Sequence, residues 1–90
     1  MDFEWDDAKR ASNIARHGID FIDAISLFDG RPVIALPSSF VGELRFLTTG
    51  VVASAIVTAV WTRRSEAIRI ISVRRARDSE TRAYHAHHHG

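Results

Sequence analysis

Apolar residues among the first thirty positions recur every three or four residues, which is the period of an amphipathic helix. The apolar positions of the first run are Ala8, Ala11, Ile14 and Ala15. They predict a helix over residues 8–17. Asp6 or Asp7 provides the N-terminal cap, and Gly18 suits the left-handed conformation that ends a helix. A short strand over residues 2–5 precedes this helix, because Phe3 and Trp5 fall on one face.

A second run with the same period follows directly. Its apolar positions are Phe21, Ala24, Ile25 and Phe28. They predict a helix that begins at Asp20, with Asp23 three residues later as a weaker form of the capping box. Gly30 ends this helix before Pro32, after which the pattern changes.

From Pro32 onwards the apolar positions alternate, as they do in β-strands. The alternation predicts strands over residues 33–36, 43–52, 55–63 and 68–74, with a loop between Pro37 and Gly42. Glu43 and Arg45 would lie side by side on their strand. Strict alternation also places Ile68, Ile70, Ser72 and Arg74 on one side of the last strand and Arg69 on the other.

Asp78 or Ser79 caps a final helix that contains Glu80, Arg82 and Tyr84. The predicted order is one strand, two helices, an antiparallel meander of four strands and a last helix, which is an α+β domain without internal repeats. We expect this domain to comprise residues 1–84. Residues 85–90 form a histidine-rich segment that we expect to be a flexible tail.

Composition excludes several classes of protein. The chain has 90 residues, of which 46% are hydrophobic and 26% charged, so it is not a disordered sequence. It has no cysteine, which excludes disulfides and thiolate chemistry and fits a reducing cytosol. The start is acidic, unlike a secretory signal, and the longest uncharged stretch, residues 46–61, is too short for a membrane helix. We expect a soluble cytoplasmic protein.

Charge is distributed unevenly along the chain. Residues 1–30 hold three basic and seven acidic residues, whereas residues 61–90 hold seven arginines and three acidic residues. Arginine provides a planar fork of donors that matches phosphate. The C-terminal third is therefore a candidate surface for nucleic acid or another phosphate-containing ligand.

The candidate chemical groups in the meander are Arg45, Arg63, Arg69, Arg74 and Glu43. An unpaired charge in an apolar strand is costly, so these arginines need partners. One interpretation is a structural ion pair, for instance Glu43 with Arg69 or Arg74. The other is a phosphate-binding groove on the sheet.

Two further side chains are candidates on the helices. His17 lies at a helix C-terminus and is either an acid–base group or a packing residue. Tyr84 either stacks on a base or anchors the last helix to the sheet. The terminal tract of His85, His87, His88 and His89 is not assigned a metal site, and we expect neither a metal nor a cofactor.

Taken together, the residues resemble the BrnT family. The matching positions near the N-terminus are Phe3, Glu4, Trp5, Asp6, Lys9, Asn13, Arg16, His17, Gly18 and Phe21, followed by Ala24 and Phe28. The match resumes at Glu43, Arg45, Gly50, Thr62, Arg63 and residues 69–76, and it closes with Glu80, Arg82 and Tyr84. It covers roughly residues 3–84, in order and with compatible spacing.

The resemblance implies a RelE-like fold and the toxin half of a type II toxin–antitoxin system. It implies metal-independent RNA cleavage that inhibits translation, a BrnA-type antitoxin as partner, and contact with operator DNA only through that antitoxin. By matching position, Arg63 and Arg74 would bind phosphate, with Arg45 and Arg69 next. Glu43 or His17 would be the base. Tyr84 would orient the substrate or stack on a base.

Three possible functions stay open at this point. The first is a ribonuclease toxin that its antitoxin neutralises. The second is a catalytically inactive module that acts only in operon autoregulation, and a solitary phosphate- or metal-binding domain is a third. The candidate set from Glu43 to Tyr84 favours the ribonuclease, because it contains the charges that RNA cleavage needs.

Overall fold

The computed structural model describes residues 1–40 and 42–88. Its strands are β1 (Asp2–Glu4), β2 (Val33–Phe40), β3 (Glu43–Val52), β4 (Ala55–Arg64) and β5 (Ala67–Arg75). Its helices are α1 (Asp7–His17), α2 (Phe21–Ala24) and α3 (Asp78–His88), and a 3₁₀ turn, Ile25–Phe28, follows α2. The predicted α+β architecture and the order of its elements are confirmed. None of the helices in the described ranges is long and apolar enough to cross a membrane.

The strands form one mixed sheet in the order β1-β5-β4-β3-β2. Strands β2 to β5 form the predicted antiparallel meander, and β1 joins its far edge in parallel with β5. Parallel neighbours need a long connection between them. Here the connection includes most of the chain, so the N-terminal strand and the last strand meet only in the folded molecule.

Helix α1 begins and ends where its sequence predicts. The Asp6 carboxylate accepts hydrogen bonds from the backbone N–H groups of Ala8 (2.8 Å) and Lys9 (3.3 Å). Gly18 has φ +69° and donates its N–H to the carbonyl of Ile14 at 2.8 Å. The cap at one end and the left-handed glycine at the other therefore define the helix.

The second predicted helix is shorter than expected. It begins at its Asp20 cap, whose carboxylate accepts the N–H of Ile22 at 3.1 Å, but only Phe21–Ala24 is α-helical. Residues 25–28 tighten into the 3₁₀ turn, as the last turns of helices often do. The turn brings buried Leu27 against the sheet.

Strand β2 is longer than predicted, because it continues through Pro37. Pro37 pairs with Phe46, and Ser38 pairs with Arg45. A proline is tolerated on an edge strand, where its missing N–H disturbs no second ladder. The loop that we expected between Pro37 and Gly42 is therefore largely strand, although Val41 lies outside the described residues.

The core lies between the sheet and the N-terminal helices. Phe21 and Ala24 are fully buried there, opposite Val57 and Ala59 of β4. Trp61, on the same side of β4, stacks on Phe46 with ring centroids 4.6 Å apart. The opposite side of the sheet, here called the open face, is covered only in part, at one end, by α3.

A β-bulge in β5 changes which side its residues occupy. Trp61 pairs with Ile70 and Val60 pairs with Ser72, so Ile71 is an extra residue. The core side carries Ile68, Ile70 and Val73, and the open face carries Arg69, Ser72 and Arg74. The expectation that Arg69 and Arg74 lie on opposite sides is therefore wrong, because strict alternation does not hold across a bulge.

Helix α3 extends further than the domain boundary that we expected. It runs to His88 and includes His85 and His87. The Nε2 atom of His88 lies 2.8 Å from the carbonyl oxygen of Val33, at the start of β2. The described part of the histidine-rich segment is thus helical, and His89 and Gly90 lie outside the described residues.

Candidate functional site

A row of polar residues crosses the open face from edge to edge, one from each strand. In strand order the row, here called the open row, consists of Glu4, Arg69, Thr62, Arg45 and Ser38. Neighbouring strands lie about 4.8 Å apart, so the row is about 19 Å long. That length is sufficient to contact more than one group of an extended polymer.

The charges of the open row form ion pairs with neighbouring carboxylates. Arg69 donates from Nη1 to Glu4 at 2.7 Å, and Arg45 donates from Nε to Glu43 at 2.8 Å. Between them lies Thr62, whose buried hydroxyl donates to the carbonyl of Leu44 at 2.7 Å. The arginine and glutamate side chains remain 22–39% exposed, so both pairs are in contact with solvent.

Two more cations, Arg64 and Lys9, lie close enough to this end of the face to act on Glu43. The hydrogen bond from Arg45 lowers the pKa of Glu43, and the nearby charges of Arg64 and Lys9 lower it further. Arg64 follows Thr62 by two residues and therefore lies on the same face. With Arg45 and Arg69, four cations lie at this end beside three carboxylates, Glu43, Glu4 and Asp2, because Asp2 alternates with Glu4 along β1 and lies on the same face. The balance is one positive charge in excess, which favours an anion.

Arg74 lies at the other end of the open face, beneath α3. It forms a bidentate ion pair with Glu80, with Nη1 and Nη2 at 2.7 and 3.0 Å from the two carboxylate oxygens. Glu80 also accepts hydrogen bonds from the hydroxyl of Thr58 at 3.0 Å and from the backbone N–H of Arg77 at 2.8 Å. The hydrogen bond from Arg74 lowers the pKa of Glu80 to about 2. Arg74 is thus held by a carboxylate.

The remaining predicted residues lie apart from the open row. Arg63 lies at the same end of the sheet but on its core side, where it pairs with Ile68 and is exposed. His17 lines a groove between α1 and β5. Tyr84 lines a different groove with Arg31, near the far end of α3.

The structure therefore brings together three of the seven predicted site residues, Glu43, Arg45 and Arg69. The suggested ion pairs of Glu43 with Arg69 or Arg74 do not form, because Glu43 pairs with Arg45, Arg69 with Glu4, and Arg74 with Glu80.

Lys9, Arg64 and Glu4 belong to this end of the face, and the candidate set did not include them. Arg64 could have been found, because it alternates with Thr62 along β4. Glu4 had no local signal, since its partner Arg69 is 65 residues away in the sequence.

The open row is suited to holding a phosphodiester. Arginine forks bind carboxylate and phosphate with the same bidentate geometry, and a neighbouring carboxylate can accept a proton. The described residues contain no cluster of three or more histidine, cysteine or acidic side chains that is placed to bind a metal ion.

Comparison with protein families decides the relationship. The model of a family described as the ribonuclease toxin BrnT of type II toxin–antitoxin systems matches residues 5–80. The chain belongs to this BrnT family. Membership makes it a ribonuclease toxin with an antitoxin as its partner. No curated protein matches the chain.

The matched segment includes most of the candidate residues. It begins directly after β1 and ends in the first turn of α3, and so it contains Glu43, Arg45, Arg69 and Arg74. Tyr84 and the histidines of α3 follow it. The BrnT family match therefore covers four of the five strands and every residue of the open row except Glu4, which precedes it on β1.

Proposed function

We propose that this BrnT protein cleaves RNA without a metal ion on the open face of its sheet, and that the cleavage inhibits translation. The observation that carries the proposal is the open row with its two added cations, Lys9 and Arg64. RNA cleavage of this kind requires charge stabilisation at phosphorus and activation of a 2′-hydroxyl. Both requirements have candidate groups within this end of the face.

In this proposal, Arg64 and Arg69 bind the phosphate and Glu43 accepts the proton of the 2′-hydroxyl. The 2′-oxygen then bonds to phosphorus as the bond from phosphorus to the 5′-oxygen breaks, and the leaving 5′-oxygen takes a proton from the solvent that reaches this exposed site. Arg69 is bound to Glu4 through Nη1, in a pair exposed enough for phosphate to compete with the carboxylate. Glu43 is ionised at neutral pH and can accept a proton, and the hydrogen bond from Arg45, which lowers its pKa, holds the carboxylate in place. His17 and Tyr84 are then outside the reacting centre, and Arg74 positions α3.

A BrnA-type antitoxin would neutralise this activity in the cytoplasm and connect the complex to operator DNA. Neutralisation would follow if the antitoxin covered the open face, because the cations there would no longer reach RNA. The toxin itself would then contact DNA only through its partner.

Cleavage of purified RNA in EDTA tests the proposal. We expect Glu43→Gln to lower the cleavage rate by about 10²–10⁴-fold, as loss of a general base does. Arg64→Ala should lower it by about tenfold, the effect of losing one hydrogen bond between charged groups. Arg82→Ala is the matched control, because Arg82 is also an exposed arginine but lies on α3.

Three outcomes separate the alternatives. Cleavage by the parent and by Arg82→Ala, together with slow cleavage by the other two variants, supports the proposal. Intact RNA with folded parent protein contradicts it and favours a module that acts only in autoregulation. Equal cleavage by all four proteins places the reacting centre away from the open row.

A further inference from the structure

A groove of about 220 Å³ lies between helix α1 and the edge of β5, outside the open row. Its polar lining consists of Lys9, Ser12, Asn13, Arg16, His17 and Ser72. We call it the edge groove. Among the described residues that line it there is no aspartate or glutamate, so its fixed charge is positive.

The fold builds this groove because β1 is short. Strand β1 pairs with β5 only as far as Arg69, so the remainder of that edge needs another partner. Buried Asn13 provides one: its Nδ2 donates to the carbonyl of Val73 at 2.8 Å, and its Oδ1 accepts the N–H of Val73 at 3.1 Å. The side chain thus satisfies a strand edge that would otherwise be exposed.

Because the Asn13 side chain anchors α1 to β5, it also determines where the helix presents its neighbouring cations. Residues three or four apart on a helix lie on one side of it, so Lys9, Asn13 and Arg16 face the same way. Lys9 and Arg16 are seven residues apart, which separates their backbones by about 10 Å along α1. Both side chains are exposed, and within the described part of the chain neither forms a hydrogen bond or an ion pair.

The edge groove lies beside the open face, and two of its lining residues relate it to that face. Lys9 lines the groove, and its charge also acts on Glu43 of the reacting end. Ser72 lines the groove as well and, because of the bulge, lies on the open face between Arg69 and Arg74. A strand that leaves the open row over Ser72 therefore reaches a groove whose charged lining is positive.

We propose that the edge groove binds a second backbone phosphate of the same RNA strand, with Arg16 as the main cation and the Ser12 hydroxyl as a donor, since the Ser72 hydroxyl donates to Oδ1 of Asn13 at 3.4 Å. This inference rests on the proposed function, since the open row must hold the first phosphate. A single RNA strand fits the groove better than an acidic protein segment does, because the volume is small and Ser72 places the groove beside the open face.

Salt dependence of binding tests the inference without requiring cleavage. The probe is a fluorescent 2′-O-methyl RNA of about eight nucleotides, which is long enough to span both sites and lacks the attacking hydroxyl. Each phosphate contact with a single strand contributes about 0.7 to the slope of log K against log salt concentration. We expect Arg16→Ala to reduce the slope by that amount, Arg16→Lys to restore it and Arg82→Ala to leave it unchanged.

The opposite results overturn the inference. An identical slope for Arg16→Ala and the parent, with both proteins folded, means that the groove holds no phosphate. An unchanged slope together with weaker antitoxin binding by Arg16→Ala assigns the groove to the protein partner instead. If the probe binds as expected but the parent cleaves no unmodified RNA, the phosphate site in the edge groove is supported and the proposed RNA cleavage is contradicted.

Discussion

The two ends of the open face contain the same kinds of residue in different surroundings. At the covered end, Arg74 and Glu80 retain only 17% and 18% of their side-chain exposure beneath α3. At the open end, Arg69 and Glu4 retain 26% and 39%. Glu80 accepts four short hydrogen bonds, whereas a single hydrogen bond of 2.7 Å joins Arg69 to Glu4.

This difference decides what each arginine can do. Removing one member of a shielded, hydrogen-bonded pair leaves the other as an uncompensated charge, which is costly. Arg74 therefore stays paired with Glu80 and is not available to a ligand. An exposed pair contributes little to stability, so its carboxylate is readily replaced by another anion. An arginine in the meander is therefore structural at one end of the sheet and available to a ligand at the other.

The largest expected effect comes from breaking the covered pair. Glu80→Ala should lower the free energy of unfolding by about 3 kcal/mol, at the low end for a buried pair because both side chains keep some exposure. Urea denaturation measures the change. Glu66→Ala is the matched control, since Glu66 is exposed in the turn before β5 and should change stability by less than about 0.5 kcal/mol. Equal effects of the two substitutions would contradict the assignment of Glu80 to a structural pair.

The same pair should make stability depend on pH in the acid range. Folding lowers the pKa of Glu80 from 4.5 to about 2, so its contribution is complete above pH 4.5 and is lost as the pH falls towards 2. A shift of this size corresponds to about 3 kcal/mol. Asp20 titrates in the same range, because Arg10 lowers its pKa to about 2. Asp20 is present in both the parent and Glu80→Gln, so the comparison of these two proteins isolates the contribution of Glu80. The difference in unfolding free energy should shrink on acidification; a constant difference would refute the prediction.

Local patterns predicted most of the fold. The capping aspartate and the left-handed glycine define α1, and alternation located β3 and β4 almost to the residue. The exceptions depend on neighbours that are distant in sequence. Pro37 stays in β2 because that strand is at an edge, and the bulge at Ile71 forms where β5 meets β4. Neither the edge position nor the pairing can be obtained from residues close in the chain.

The candidate site was less predictable than the fold. The sequence identified arginine as the important residue type, but burial distinguishes Arg74 from Arg69, and burial depends on where α3 packs. The parallel pairing of β1 with β5 likewise determined that Glu4 meets Arg69. The excess of arginine was informative about the ligand, and the role of each arginine required the tertiary structure.

The smallest expected effect concerns the open pair, and it provides the sharpest test of the comparison. A double-mutant cycle with Arg69→Gln and Glu4→Gln should give a coupling energy below about 1 kcal/mol, as exposed ion pairs do. The same cycle for Arg74 and Glu80 should give a clearly larger value, because that pair is shielded from solvent. Both cycles use urea denaturation at one ionic strength. Equal coupling energies would mean that Arg69 is as firmly held as Arg74, and Arg69 would then not exchange its carboxylate for phosphate at low cost.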